Sequence, residues 1–258
     1  MASARPRKIR LDQLLVERGL AESPEKAQGL VLAGLVMVDE QKQEKCGTLI
    51  QPQAVLRLLG EPPKYVSRGG LKLEGALEHF RINPDTKVCL DVGASTGGFT
   101  DCLLQRGAGK VFAVDAGTNQ LDWKLRQDSR VVVLEKTNAR HLAFDRIGEL
   151  AELVTIDVSF ISVTMILPAL VPLLAPHADL IVLIKPQFEV GKGQVGPGGI
   201  VRDPAQQQEA VSKVSRKLLE LGFSQLASME SPLLGAEGNH EFFLHAVWKK
   251  GKDLGFRI

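Results

Sequence analysis

At 258 residues, with 44% apolar and 24% charged side chains, the chain has the composition of an ordinary folded protein and is long enough for one large domain or two. Its net charge of +2 is too small to announce a nucleic-acid partner, but it is uneven: residues 1–72 hold 12 Lys/Arg against 8 Asp/Glu, the remainder 20 against 22. A basic amino-terminal part on a mildly acidic body points to a polyanion at one end, against the plainer alternative of a solvated surface.

The three cysteines, Cys46, Cys89 and Cys102, form no C-x-x-C, and an odd, sparse set argues for a reducing compartment. The opening "MASARPRKIR" lacks the apolar stretch of a signal peptide. No apolar run approaches the ~18 residues of a membrane span. The expectation is a cytoplasmic protein with no metal site and no stable protein partner.

Residues 8–60 read as a small α+β unit. "RLDQLLVERGL" repeats Leu11, Leu14 and Leu15 at helical spacing, and "SPEKAQGLVLAG" has an N-cap Ser23, Pro24 at the first helical position and a stop at Gly34. "LVMVDEQ" alternates Val36 and Val38 and then turns, and "TLIQPQAVLRLLG" supplies further short strands. Adjacent prolines mark residues 61–66 as a linker.

Residues 67–258 read as a second domain. "SRGGLKLEGALEHF" spaces Leu73, Ala76, Leu77 and Phe80 as a helix. Strands are expected at 88–93, 110–117, 131–137, 153–159, 180–186, 223–230 and 240–248, with helices at 98–107, 162–174 and 204–222. Strands alternating with helices predict an α/β fold with a mostly parallel, doubly wound sheet, whose ligands bind at the carboxyl ends of the strands.

The stretch "DVGASTGGFT", Asp91 to Thr100, lies at such an end. Its glycines sit where a strand turns into a helix, and the helix start offers free N–H groups to a ligand. It is neither G-x-G-x-x-G nor a P-loop. Asp115, at the end of the next strand, is placed to accept the hydroxyls of a ribose. Together these fit a nucleoside cofactor without a pyrophosphate, for which S-adenosylmethionine is the obvious candidate. Gly93 to Gly97 also spell G-x-S-x-G, the nucleophile elbow of serine hydrolases, with His245 a possible partner. That elbow normally follows several strands, whereas this turn follows the first strand of its domain.

Four charged residues fall at strand ends or on the entering helix: Lys72, Asp157, Lys185 and Glu241. They are either solvated strand-end charges and a simple ion pair, or a cluster that holds a lysine neutral so that it can accept a hydroxyl proton during methyl transfer. The N-P-P-Y/F motif of amino-group methyltransferases is absent, and no cysteine follows the fourth or fifth strand. A hydroxyl acceptor remains, and the 2′-OH of RNA is the abundant one. The Gly-rich "GKGQVGPGGIVR", residues 191–202, is either a connector or a lid whose Lys192 and Arg202 meet phosphate.

"RLDQLLVERGLAESPEKAQGLVLAGLVMVD" resembles the ribosomal protein S4-like RNA-binding domain. "SRGGLKL", "DVGASTGGFTD", "DVSFIS", "IKPQFE", "GPGGIVRD" and "GNHEFFLH" resemble the hemolysin A (TlyA) family, which looks like FtsJ-type ribose 2′-O-methyltransferases fused to that domain. The resemblance implies a Rossmann-like class I methyltransferase with a seven-stranded, mostly parallel sheet. It implies S-adenosylmethionine at Asp91, Gly93, Ala94, Ser95, Thr96, Gly97, Gly98, Phe99, Asp115, Asn138 and Asp157. It further implies a catalytic tetrad of Lys72, Asp157, Lys185 and Glu241, and ribosomal RNA or ribosomal subunits as substrate. The small domain departs from its usual pattern: Ser23-Pro24 replaces S-R, and Asp39-Glu40 replaces N-G at the hairpin. The hemolysin label fits poorly with a chain that shows no membrane-active amphipathic helix.

Overall fold

In the computed structural model, which describes residues 8–60, 63–235 and 238–250, chain contacts part between Lys64 and Tyr65 into two units. The smaller unit runs β1 (Ile9–Arg10), α1 (Leu11–Glu17), α2 (Pro24–Leu32), β2 (Val36–Val38), β3 (Gln41–Gln43), β4 (Leu49–Ile50) and β5 (Leu56–Leu58). Ser23 Oγ caps α2 by accepting the Lys26 N–H at 3.3 Å. Gly34 follows the helix at φ +67°, a backbone that favours glycine. The helical spacing buries Leu11, Leu15, Ala27 and Val31 against Val36 of the β3-β2-β5 sheet.

The β2–β3 hairpin turns on Asp39 and Glu40 at φ 48° and 61°, the left-handed pair of a type I′ turn. Neither residue is a glycine, and each acid has a partner. Asp39 Oδ1 accepts the Val55 N–H at 2.9 Å, and Glu40 pairs with Arg57 at 2.7 Å. The acids that mark this hairpin therefore tie it to the chain leading into β5.

The larger unit begins with buried Tyr65 and α3 (Arg68–Phe80). Its strands are β6 (Val88–Val92), β7 (Lys110–Val114), β8 (Val131–Leu134), β9 (Ala151–Ile156), β10 (Leu174–Ile184), β11 (Ser224–Glu230) and β12 (Phe242–Lys249). The helices between them are α4 (Gly98–Gln105), α5 (Trp123–Arg126), α6 (Phe144–Ile147), α7 (Leu167–Leu170), α8 (Pro186–Glu189) and α9 (Pro204–Glu220). The seven strands order as β11-β12-β10-β9-β6-β7-β8, with only the β12 pairings antiparallel. This is the mixed, mostly parallel sheet of class I methyltransferases.

Successive strand residues are apolar on both sides, so the sheet is covered on both faces. Leu90, Val92, Phe112, Val114, Val182 and Ile184 face one core, where α9 inserts Ala210, Val211, Val214 and Leu218. Cys89, Val111, Ala113, Ile181 and Leu183 face the other, with Leu73 and Leu77 of α3 and Leu103 of α4. Burial pushes the Cys89 thiol up to about 12, which leaves it an inert core group.

Several expected boundaries shift. The strands expected to run through 117, 137 and 159 stop at Val114, Leu134 and Ile156; the chain bends soon after the first two, and Lys136 and Phe160 take positive φ. The helix expected over 162–174 is three short pieces, Val163–Met165, Leu167–Leu170 and Val171–Leu173. Pro168 and Pro172 lack the N–H that a continuous helix needs. Strand β10 starts at Leu174, earlier than expected, and Glu241 directly precedes β12 rather than opening it. Part of the expected linker, residues 61–62, and both chain ends lie outside the described residues. Among those described, no helix is long and apolar enough to cross a membrane.

Candidate active site

From β6 the chain steps outward to β7 and β8, then returns to the other side of β6 as β9. The loops leaving β6 and β9 diverge there, which opens a crevice at the carboxyl edge. Asp157 N–H donates to Val92 O at 2.9 Å, locking the two strand ends together. The turn after β6 is held by Gly93 and Ala94 N–H groups, both donating to Val114 O at 2.8 and 3.1 Å. A cleft of about 280 Å³ opens here, lined by Gly93–Thr96, Gly98, Phe99, Asp157 and the first turn of α3 with Lys72.

The glycines have different duties. Gly93 sits at φ +88°, and a Cβ there would collide with Asp157 O. Gly97, at φ +97°, is buried, and its Cβ would drive into Leu125 and Leu121. Gly97 is therefore demanded by backbone conformation and packing, not by ligand approach from the cleft. Asp91 is fully buried behind the turn and accepts from Thr100 Oγ1 at 2.7 Å and Thr155 Oγ1 at 3.1 Å. Burial pushes its carboxyl up to about 7 against those two hydrogen bonds, with Asp157 adding to the rise.

Asp115 follows β7 with its carboxylate held by two backbone donors. Oδ2 accepts the Ser95 N–H at 2.8 Å and Oδ1 the Gly117 N–H at 2.7 Å. It is not among the residues lining the cleft, but through Ser95 it fixes the turn that is. Asn138 is exposed and caps the turn Ala139–His141 by accepting the Arg140 N–H at 3.1 Å; it too stands off the cleft.

The four expected catalytic residues form two ion pairs, each with one member lining the cleft, Lys72 and Asp157, and the other, Glu241 and Lys185, behind it. Lys72 Nζ donates to Glu241 Oε2 at 2.6 Å, both side chains nearly buried. Lys185 Nζ lies 2.6 Å from Asp157 Oδ1. The approach angle is not that of a hydrogen bond: Oδ1 is buried and accepts none, and the ammonium donates instead to Ser159 Oγ at 2.9 Å. The arrangement can present a lysine nitrogen, anchored but not saturated, to a group entering the cleft.

Three features escape sequence reasoning. Ser159 supplies the hydrogen bond that Lys185 lacks from Asp157. Phe160 is 92% exposed at φ 65°, a backbone rare for an aromatic residue, and its ring lies 5.2 Å from that of Phe188. Glu189 is buried beside both loops. The apolar residue just after a polar strand end was the one signal for Phe160.

The hydrolase alternative fails on geometry. Ser95 does take the positive φ, 48°, of an elbow serine. Yet His245 sits on β12, three strands from β6 and so about 14 Å away by strand spacing. There its Nε2 pairs with Asp179 Oδ1 at 3.0 Å. Burial alone would raise Asp179, but hydrogen bonds from His245 and Lys87 hold it below the usual carboxylate range. In the Gly-rich segment, Asn239 fastens the distal end, accepting the Val201 N–H at 3.1 Å and donating to Gly199 O at 3.0 Å. The side chain of Lys192 lies outside the described residues.

The doubly wound sheet, the glycine turn at its switch point and the adjoining acid define a class I methyltransferase whose methyl donor is S-adenosylmethionine. The FtsJ-like methyltransferase family matches residues 65–248, and the S4 domain matches residues 9–56. The chain belongs to the hemolysin A (TlyA) family, in which these two parts are joined. It is 49% identical over 239 residues to the 16S/23S rRNA (cytidine-2′-O)-methyltransferase TlyA of Mycobacterium tuberculosis, covering 92% of this chain and 89% of that one. It is 42% identical to Hemolysin A of Brachyspira hyodysenteriae, covering 93% and 100%. A solved structure from Streptococcus thermophilus, described as a hemolysin, superposes with a TM-score of 0.73 at 43% identity, covering 97% and 92%.

Proposed function

We propose that this protein methylates a ribose 2′-OH of ribosomal RNA in the 16S or 23S molecule, with Lys72, Asp157, Lys185 and Glu241 as its catalytic group. The observation that carries the reading is two lysine–carboxylate pairs that each place one member, Lys72 and Asp157, on the cleft lined by the glycine turn. The turn fits the cofactor: its backbone is open to the cleft from Gly93 to Thr96, and α4 begins at its rim. Gly93–Phe99 would hold the cofactor, with Asp115 accepting ribose hydroxyls on lone pairs its two backbone partners leave free. S-adenosylmethionine supplies there a methyl group made electrophilic by a positively charged sulfur.

The chain's own residues do the rest. Lys185 takes the 2′-OH proton on Nζ, and Asp157 and Ser159 fix the position of that nitrogen. The Lys72–Glu241 pair sets the wall against which the ribose is oriented. Phe160 and Phe188 offer an exposed aromatic edge beside the pair, suited to a base taken out of its stack. Residues 8–60 act as an RNA-binding unit ahead of the catalytic domain of residues 67–258.

The test is to incubate unmethylated bacterial 30S and 50S subunits with labelled S-adenosylmethionine and map the product. Label on a ribose, seen as one linkage resistant to alkali, is expected. Label on a base, or none on either subunit, rejects the assignment. Asp115→Ala should weaken cofactor binding in calorimetry by about 1.5–3 kcal/mol, the scale of hydrogen bonds to a charged group. Unchanged affinity in a folded variant moves the ribose contact elsewhere.

A further inference from the structure

Glu189 is 6% exposed, yet its carboxylate reaches three elements. Oε1 accepts the Val163 N–H at 2.7 Å, and Oε2 accepts from Ser162 Oγ at 2.5 Å. Lys213 of α9 approaches Oε2 to 3.1 Å and donates to the Glu189 carbonyl at 2.6 Å. A buried carboxylate is costly unless it is paired and hydrogen-bonded, and an apolar side chain of similar volume packs as well. What the carboxylate adds is direction.

We propose that Glu189 is a positioning residue for the Lys185–Asp157 pair, clamping the loop after β10 to the loop after β9. This rests on the methyl-transfer reading above. Strands β9 and β10 run in parallel register up to Ile156 and Val182, and the ladder ends there. Beyond it, the two halves of the reactive pair stand on separate loops. Lys185 is the N-cap of the short α8, and Glu189 is the last residue of that helix, so a rotation of α8 moves both together. Ser162 and Val163 end the segment that carries Asp157, Ser159 and the left-handed Phe160. Glu189 thus joins the far ends of both segments, while Lys213, a partly exposed residue of α9, holds it from a third. Releasing the clamp lets Lys185 drift from Asp157 and Ser159 without emptying the cofactor cleft, which Glu189 does not line.

The experiment compares wild type with Glu189→Gln and, as a milder variant that leaves the Lys213 ion pair in place, Ser162→Ala. Three readouts are taken on the full chain: cofactor affinity by calorimetry, single-turnover methylation of unmethylated 30S and 50S subunits, and NMR of 13Cε-labelled lysines. The Lys185 resonance is assigned by its loss in Lys185→Arg. Glu189→Gln should keep cofactor affinity within about twofold while the rate constant at saturating RNA falls roughly 10- to 100-fold, the cost of misplacing a reacting group. Ser162→Ala should show the same split, less strongly. In both, the Lys185 Cε resonance should move while that of Lys72 stays. A rate loss no larger than the loss of folded protein, or an unmoved Lys185 resonance, overturns the proposal. The NMR arm needs no RNA: if wild type methylates neither subunit, the substrate reading fails and the lysine resonances alone decide the clamp.

Discussion

Two lysine–carboxylate pairs each place one member on the same cleft, each with a nitrogen–oxygen distance of 2.6 Å, and they are held differently. Lys72–Glu241 is sealed: the side chains are 11% and 3% exposed, and the ammonium donates directly to the carboxylate. Lys185–Asp157 is looser at its carboxylate: the side chains are 13% and 24% exposed, and the contact lacks the angle of a hydrogen bond. A sealed pair resists change, because removing one partner leaves an unpaired buried ion. A loosely held lysine on a strand end has capacity left for a substrate hydroxyl. Identical distances therefore conceal one pair closed by a direct hydrogen bond and one whose lysine bonds to a neighbouring serine instead.

The largest effect that sharpens this contrast is on stability. Lys72→Met strands Glu241 and should cost about 3–5 kcal/mol in urea unfolding. Lys185→Met should cost less, about 1–3 kcal/mol, because it takes the ionic partner from the buried Oδ1 of an Asp157 side chain that is otherwise 24% exposed. Equal losses would erase the distinction between the pairs.

A smaller effect probes the charge behind the reactive pair. Asp91 is raised to about 7 by burial, so the native state keeps its proton over a range where the unfolded chain, near pH 4, has already lost it. Stability from this residue is accordingly lost as pH rises from about 4 to 7. Asp91→Asn should gain on wild type as pH rises from about 4 to 7, by up to about 4 kcal/mol, and the gain should vanish towards pH 4. A pH-independent difference would mean that Asp91 contributes through shape alone. The smallest effect is expected from Ser159→Ala, which removes one neutral partner of Lys185. It should slow single-turnover methylation by about tenfold or less with unchanged cofactor affinity and melting temperature.

How far the sequence disclosed this site follows from the range of each contact. Asp157 and Lys185 were legible because each ends an apolar strand, and a parallel sheet gathers its strand ends at one edge. The glycine turn was legible as a turn, but the reason for Gly97 was not, because Leu121 and Leu125 approach it from α5 and the loop before it, distant in the chain. Lys72 and Glu241 are far apart in the chain; the sequence offered them as members of one cluster, but not their pairing with each other. The Thr100 and Thr155 partners of Asp91, and the clamp at Glu189, depend on the register of β6, β9 and β10 and left no local pattern. The broken helix at 162–174 was readable from Pro168 and Pro172, whose missing N–H groups outweigh the apolar spacing.

The most direct test of the central claim is the single-turnover methylation rate of Lys185→Ala and Lys185→Arg, measured across pH on unmethylated ribosomal subunits at saturating cofactor. Wild type should speed up as pH rises, as a base that must first shed its proton requires. Lys185→Ala should fall by about 10²–10⁴ with cofactor affinity nearly unchanged. Lys185→Arg should fall as far, because a guanidinium keeps its charge and cannot accept a proton. A Lys185→Arg enzyme that runs near the wild-type rate with the same pH profile would contradict the account and leave Lys185 as a residue that only binds.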